Sequence, residues 1–271
     1  MNNRTNILFT TTKCNLFCSY CYEEASRDGL PEQIEMSEEI IDNYLNEISE
    51  REKDCISTVV IMGGEVFLKP KLLKYIINKM SSMKHKWGVC ITTNATLIKE
   101  DFLKKLYLEK GNNTFITFEI SYDCSGHYRR IFRESKKSTK KIVENTADMF
   151  VKNNIPFKFS YTLHKDNYNN FVKDMIYMCE RWGKNDNLIA IKLSPFFQEL
   201  YENFGDDSLE KLEPYAHSIY NRYKIGICNF SCNMCKKCDK SNFIGNAYFS
   251  PKGDKIQYEP YVTKKNFDRW I

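Results

Sequence analysis

Three cysteines crowd one short stretch near the N-terminus, "TTTKCNLFCSYCYEE": Cys14, Cys18 and Cys21, with Tyr20 just before the third. Thiolates this close suit soft metals, and iron–sulfur clusters in particular. Three protein ligands leave one iron of a four-iron cluster open, and that iron can hold a substrate or cofactor. A small zinc site and three unrelated core thiols are the rival readings.

A second group, "CNFSCNMCKKCDK", carries Cys228, Cys232, Cys235 and Cys238. Four thiols within so few residues signal metal. The Cys-x2-Cys-x2-Cys run has ferredoxin-type spacing. Zinc is the alternative, although zinc modules usually separate two ligand pairs by a longer loop.

Composition sets the background. The chain has 271 residues, is 42% hydrophobic and carries eleven cysteines, an odd count that argues against full pairing. That length and apolar content fit a globular protein with a sizeable core. The opening "MNNRTNILF" lacks a signal peptide's apolar run, and no stretch is long enough to span a bilayer. A cytoplasmic protein with no membrane partner is expected, in a compartment where cysteine clusters bind metal or do redox chemistry. The net charge of +5 permits an acidic partner without requiring one. A zinc-dependent nucleic-acid binder needs a denser basic stripe with interleaved aromatics. "KKSTKK" is better explained as a solvated helix start.

The elements that must position these groups alternate. "NILFTTT" reads as a strand. A helix follows from about Ser37, an N-cap candidate, with Ile40, Ile41, Tyr44, Leu45 and Ile48 on one face. "STVVIMGG", "GVCITTN", "TFITFEISYD", "IPFKFSYTL" and "NLIAIKLSPF" read as further strands. Between and after them come the helical stretches "KLLKYIINKM", "EDFLKKLYLEK", "TKKIVENTADMFVKN", "NFVKDMIYMCERWG" and "SLEKLEPYAHSIYNRY", the last with Pro214 as its true start or a kink. Six strand–helix units imply parallel strands joined by crossover helices. The expected fold is α/β, a partial (β/α)6 barrel over residues 1–223. A small cysteine-rich extension over 224–271 includes a hairpin candidate, "NAYFSPKGDKIQYEP".

Polar residues gather where these strands end. The first three cysteines follow strand one, on the face where barrel active sites form. Gly63 and Gly64 end the second strand, allowing close backbone approach or positive φ, and Glu65 follows at once. Asn94 ends the third, where it serves a ligand or caps the next helix. Ser121 and Asp123 end the fourth, with Arg133 beyond; Arg129 and Arg130 read as surface arginines. Cys124 reads as an inert buried thiol. His85, His127, His164 and His217 show no pairing and receive no role, though His164 can approach the site.

Together these motifs resemble the radical S-adenosylmethionine (radical SAM) superfamily, in the branch that often carries SPASM or twitch extensions. The likeness spans roughly residues 7–200. It implies that Cys14, Cys18 and Cys21 ligate a [4Fe–4S] cluster whose open iron is chelated by S-adenosylmethionine, with Tyr20 near the adenine. It implies that Gly63, Gly64 and Glu65 hold the methionine amino group and that Asn94 lies near the cofactor. Ser121, Asp123 and Arg133 would contact the ribose or carboxylate. Val66 stands where proline is usual. Ala95 and Cys124 stand where glycine is usual, so a positive φ at Ala95 is not expected.

The implied activity is reductive cleavage to a 5′-deoxyadenosyl radical and hydrogen abstraction from a substrate. That substrate is a peptide or protein, or alternatively a nucleotide, nucleobase or other small molecule. An electron donor such as flavodoxin or ferredoxin is implied. The second cysteine group would hold an auxiliary [4Fe–4S] cluster, with zinc as the alternative. Tyr258 stands where a further cysteine is common, so a full two-cluster SPASM set is absent. A non-enzymatic iron–sulfur carrier would have no need of the strand-end motifs.

Overall fold

The computed structural model describes residues 5–21, 35–184 and 186–228, and the backbone of strands 246–249 and 255–258. In chain order the elements begin with β1 (Thr5–Phe9), β2 (Leu16–Cys18), α1 (Glu38–Arg51), β3 (Ile56–Met62), α2 (Pro70–Ser82), β4 (Lys86–Thr93) and α3 (Glu100–Glu109). Then come β5 (Thr114–Ser121), β6 (Arg130–Phe132), α4 (Lys140–Lys152), β7 (Phe157–Leu163), α5 (Phe171–Trp182) and β8 (Leu188–Pro195). The last described elements are α6 (Phe197–Phe204), α7 (Glu213–Tyr223), β9 (Gly226–Cys228), β10 (Asn246–Phe249) and β11 (Lys255–Tyr258).

Nine of these strands form one sheet, in the order β11-β10-β1-β3-β4-β5-β7-β8-β9. The neighbours from β1 to β9 are parallel, which fits the expected α/β partial barrel. The strands alternate in character. Val89, Ile91, Ile116, Phe118, Ile120, Phe159, Ile191 and Leu193 are buried on one face. The helices lay apolar stripes against it: Leu73, Ile76, Ile77 and Met80 of α2, Val143, Ala147 and Phe150 of α4, Met175, Met178 and Trp182 of α5. The other face carries Thr117, Glu119, Ser121, Lys158, Ser160, Lys192 and Ser194. A parallel sheet covered by helices on both faces would be apolar throughout; this one has a polar inner face.

Local signals act as expected at several ends. The Ser37 hydroxyl accepts the Ile40 N–H at 3.3 Å, capping α1, whose Ile41, Tyr44, Leu45 and Ile48 are buried. Pro214 lies in the first turn of α7, where no intrahelical N–H is needed. The helix expected to begin near Ser208 therefore starts at Glu213, after a short 3-10 turn at Glu210–Leu212.

Four of these elements, α6, β2, β6 and β9, went unread in the sequence. Helix α6 is short and aromatic. Strands β2 and β6 have three residues each and form a separate two-stranded sheet. Beyond Tyr223, β9 joins the β8 edge, while β10 and β11 pair antiparallel, as the hairpin reading expects, and β10 joins β1. Cys228 ends β9; Cys232, Cys235 and Cys238 lie outside the described residues. No described helix is long and apolar enough to cross a membrane.

Candidate active site

The cysteine loop leaves the C-terminal end of β1 and is held from two sides. On the first side, Thr10 N–H donates to Met62 O at 2.8 Å, Gly64 N–H to Thr11 O at 2.7 Å and Glu65 N–H to Lys13 O at 2.8 Å. A Cβ on Gly63 would lie 2.5 Å from Thr11 O, so only glycine lets the two chains run this close. Of the two uses open to this glycine pair, close approach is the one found at Gly63.

Glu65 is buried and joins the ends of β3 and β4. Its Oε1 accepts Phe67 N–H at 3.0 Å and the Thr93 hydroxyl at 2.8 Å, and its Oε2 accepts Asn94 N–H at 2.7 Å. Burial raises its pKa in spite of these donors. Asn94 in turn reaches the cysteine loop: its Nδ2 donates to Asn15 Oδ1 at 2.9 Å and lies 3.8 Å from Cys14 Sγ. Its Oδ1 accepts Thr96 N–H at 3.0 Å, and α3 begins only at Glu100, so it does not cap that helix. Ala95 has φ 61°, against expectation. Its N–H donates to Thr93 Oγ1 and its carbonyl accepts the Thr146 hydroxyl, so tertiary bonds fix a turn that alanine alone disfavours.

On the second side, β2 pairs antiparallel with β6, setting Cys18 opposite Arg130. Arg133 N–H donates to Asn15 O at 2.9 Å, and its guanidinium donates to Leu16 O at 3.1 Å and lies over the Phe17 ring. Asp123 is fully buried. It accepts two bonds from Arg130, one from Thr162 N–H at 2.8 Å and one from the Tyr20 hydroxyl. Burial would raise the Asp123 pKa, but the Arg130 guanidinium overrides it and holds the carboxyl below its ordinary range. The Tyr20 ring lies under the Arg130 guanidinium and stacks on His164 at 5.6 Å. Ser121 sits half-buried beside Ser160 in register.

Two surface readings are corrected here. Arg130 is buried against Asp123. Arg129 bridges Asp166 and Glu199 with bonds of 2.7 to 3.0 Å. Both partners sit on other elements, beyond the reach of a local reading. Cys124 is buried as expected, with burial pushing its thiol up to about 12, and it adopts φ 48°.

Cys14, Cys18 and Cys21 are each partly buried. Burial, opposed by Arg130 and reinforced by Cys21 and Cys14, pushes the Cys18 thiol up to about 12. A bound cation would be needed to make Cys18 a thiolate. Among the described residues no three His, Cys, Asp or Glu side chains converge tightly enough to hold an ion as they stand. The fit to an iron–sulfur cluster rests on soft donors at the sheet's C-terminal edge, not on a preformed cage.

A family model for the Radical SAM superfamily matches residues 8–177. The chain belongs to the radical SAM superfamily. Membership implies a [4Fe–4S] cluster working with S-adenosylmethionine. The GTP 3′,8-cyclase of Clostridium perfringens (strain 13 / Type A) is 28% identical over 174 residues, covering 63% of this chain and 50% of that enzyme. The chain thus spans about half the length of these curated relatives. Among solved structures, native anSMEcpe with bound AdoMet and Kp18Cys peptide matches with a TM-score of 0.73 at 17% identity, over 99% of this chain and 76% of that one. Streptococcus suis SuiB bound to precursor peptide SuiA matches with a TM-score of 0.63 at 13% identity, over 94% of this chain and 60% of that one. At such identities the radical SAM chain shares their fold.

Proposed function

We propose that this chain is a radical SAM enzyme that modifies a peptide or protein. Cys14, Cys18 and Cys21 would ligate three irons of a [4Fe–4S] cluster and leave the fourth for S-adenosylmethionine. When bound, that pair supplies reductive cleavage to a 5′-deoxyadenosyl radical, which removes a hydrogen atom from the substrate. Gly63, Gly64 and Glu65 line the amino group of the cofactor, and Asn94 sits between them and Cys14. Ser121 and Arg133 serve its ribose or carboxylate. Asp123 acts through Tyr20 and Arg130, since all of its nearby donors already occupy it. Electrons come from a donor such as flavodoxin or ferredoxin.

Residues 224–271 form the metal-binding extension, of the SPASM or twitch kind. Cys228, Cys232, Cys235 and Cys238 hold a second [4Fe–4S] cluster, with zinc as the alternative. The observation that carries the reading is the cysteine loop pinned between Asn94 and Arg130 at the C-terminal edge of a parallel sheet. The peptide-bound anSMEcpe and SuiB structures support a peptide substrate. The GTP 3′,8-cyclase likeness favours a nucleotide as the second reading.

Anaerobic reconstitution with dithionite tests the proposal. The wild-type chain should form 5′-deoxyadenosine, and the Cys14→Ala, Cys18→Ala, Cys21→Ala triple variant should form none above background. Equal product from both would overturn it.

A further inference from the structure

Asn15 follows the first cysteine of the loop, and Thr96 follows Asn94 by two residues. The side chains of Asn15, Asn94 and Thr96 close a ring of hydrogen bonds, and one backbone bond fixes its sense. A peptide N–H can only donate, so the Asn94 amide atom that meets Thr96 N–H at 3.0 Å is Oδ1. Asn94 Nδ2 therefore faces the cysteine loop, where it donates to Asn15 Oδ1 at 2.9 Å. Asn15 Nδ2 in turn donates to Thr96 Oγ1 at 2.9 Å. The Thr96 hydroxyl proton then goes to Asn94 Oδ1 at 2.7 Å. Flipping either amide would set donor against donor or acceptor against acceptor.

The Asn94 amide nitrogen has a second N–H, and Cys14 Sγ lies 3.8 Å from that nitrogen. Leu16 N–H reaches the same sulfur at 3.4 Å. Two donors thus converge on one cysteine sulfur. The ring is itself held at its corners. Ala95 takes φ 61°, in the turn that brings Thr96 back onto Asn94, and the Thr146 hydroxyl bonds the Ala95 carbonyl at 2.9 Å. Asn15 O accepts Arg133 N–H at 2.9 Å. Asn94 is buried, so its amide acts in a low local dielectric, where a fixed dipole counts for more than in water. Hydrogen bonds to cluster sulfurs are one lever that sets reduction potential. An N–H aimed at sulfur favours the state with more negative charge, which is the reduced one.

We infer that Asn15 and Thr96 are positioning residues for the cluster: through the ring they hold the Asn94 amide with an N–H aimed at Cys14 Sγ, and so raise the potential at which the cluster accepts its electron. This rests on the radical-enzyme reading, in which Cys14 is a cluster ligand. The ring itself needs no cluster.

Two measurements on the full chain test it. In the metal-free protein, urea unfolding of Asn15→Ala, Thr96→Val and the double variant measures their coupling. Residues that share one hydrogen-bond network are non-additive, so the double variant's midpoint should fall by less than the two single shifts together. Additive shifts would overturn the ring. In the anaerobically reconstituted protein, a redox titration followed by electron paramagnetic resonance gives the cluster's midpoint potential. Thr96→Val and Asn15→Ala should each lower it, by about 59 mV if the reduction equilibrium shifts tenfold. Either variant suffices should the other fail to take up iron. Thr96→Ser keeps the hydroxyl and should keep the wild-type potential. Variants that hold wild-type iron at the wild-type potential, or a Thr96→Ser protein as low as Thr96→Val, would overturn the inference while leaving the radical-enzyme reading intact. A wild-type chain that binds no iron would overturn that reading, and this role with it.

Discussion

Asp123 and Arg130 lie seven residues apart and meet as a buried two-pronged ion pair, Nε to Oδ2 at 2.7 Å and Nη2 to Oδ1 at 3.1 Å. Arg130 also faces Cys18 across the β2–β6 pair and lies over Tyr20. One ion pair thus fastens the end of β5 to the cysteine loop. A carboxylate at the end of a central strand needs such a partner to stay ionised when buried.

Arg130→Met should therefore strand that carboxylate. Breaking a buried pair from one side costs roughly 3–5 kcal/mol, whereas replacing both partners with apolar residues costs less. Urea unfolding of Arg130→Met beside the double variant Asp123→Leu, Arg130→Met measures the difference. A single variant within about 1 kcal/mol of wild type would contradict a buried pair.

Glu65→Ala should do two things. It removes the acceptor from Phe67 N–H, Asn94 N–H and the Thr93 hydroxyl. Each buried donor left unsatisfied costs roughly 1–3 kcal/mol, so the metal-free protein should lose stability. The reconstituted protein should also bind S-adenosylmethionine about tenfold more weakly by calorimetry, the loss expected for one charge-assisted contact. An unchanged unfolding midpoint would deny the link between β3 and β4. An unchanged affinity would remove Glu65 from the cofactor's contacts.

Acid should weaken the fold before the carboxylates titrate. Burial lowers the pKa of His85, His127 and His164, and takes His127 to about 3 from its ordinary 6.5. Each folded-state value is depressed, so the unfolded chain takes up protons first. Stability is full above the unfolded value and falls as pH drops toward the folded one, by up to about 1.4 kcal/mol per pH unit for each group. Urea midpoints of metal-free protein at about pH 7 and about pH 5 should differ in that direction. His127→Gln should flatten the slope, and a flat wild-type profile would mean that these rings are not held neutral.

The second cysteine group separates by metal analysis. With Cys228, Cys232, Cys235 and Cys238 all changed to Ala, iron should fall by about half, since two cubanes carry equal iron. Cofactor cleavage should survive in part while product formation stops. Unchanged iron with lost zinc would replace the auxiliary cluster by a structural zinc site and leave the first cluster's assignment untouched.

What the sequence by itself determined is local in its physics. Apolar periodicity marked the six core strands and most helices, Ser37 and Pro214 marked helix starts, and Cys14, Glu65, Asn94 and Asp123 each fell at the end of a strand. Such patterns arise within a few residues of one another, so a linear reading reaches them. What only the tertiary structure decided depends on partners far away in the chain. Leu16–Cys18 is too short to be a strand until Arg130–Phe132 lies beside it. Arg130 and Arg129 read as surface charge until Asp123, Asp166 and Glu199 close around them. Ala95 takes a left-handed φ that its own side chain disfavours, because Thr93 and Thr146 bond its backbone there. Glu119 gathers Lys158 and Lys192 from two other strands into one charged cluster, since register, not sequence distance, sets which side chains meet on a sheet face.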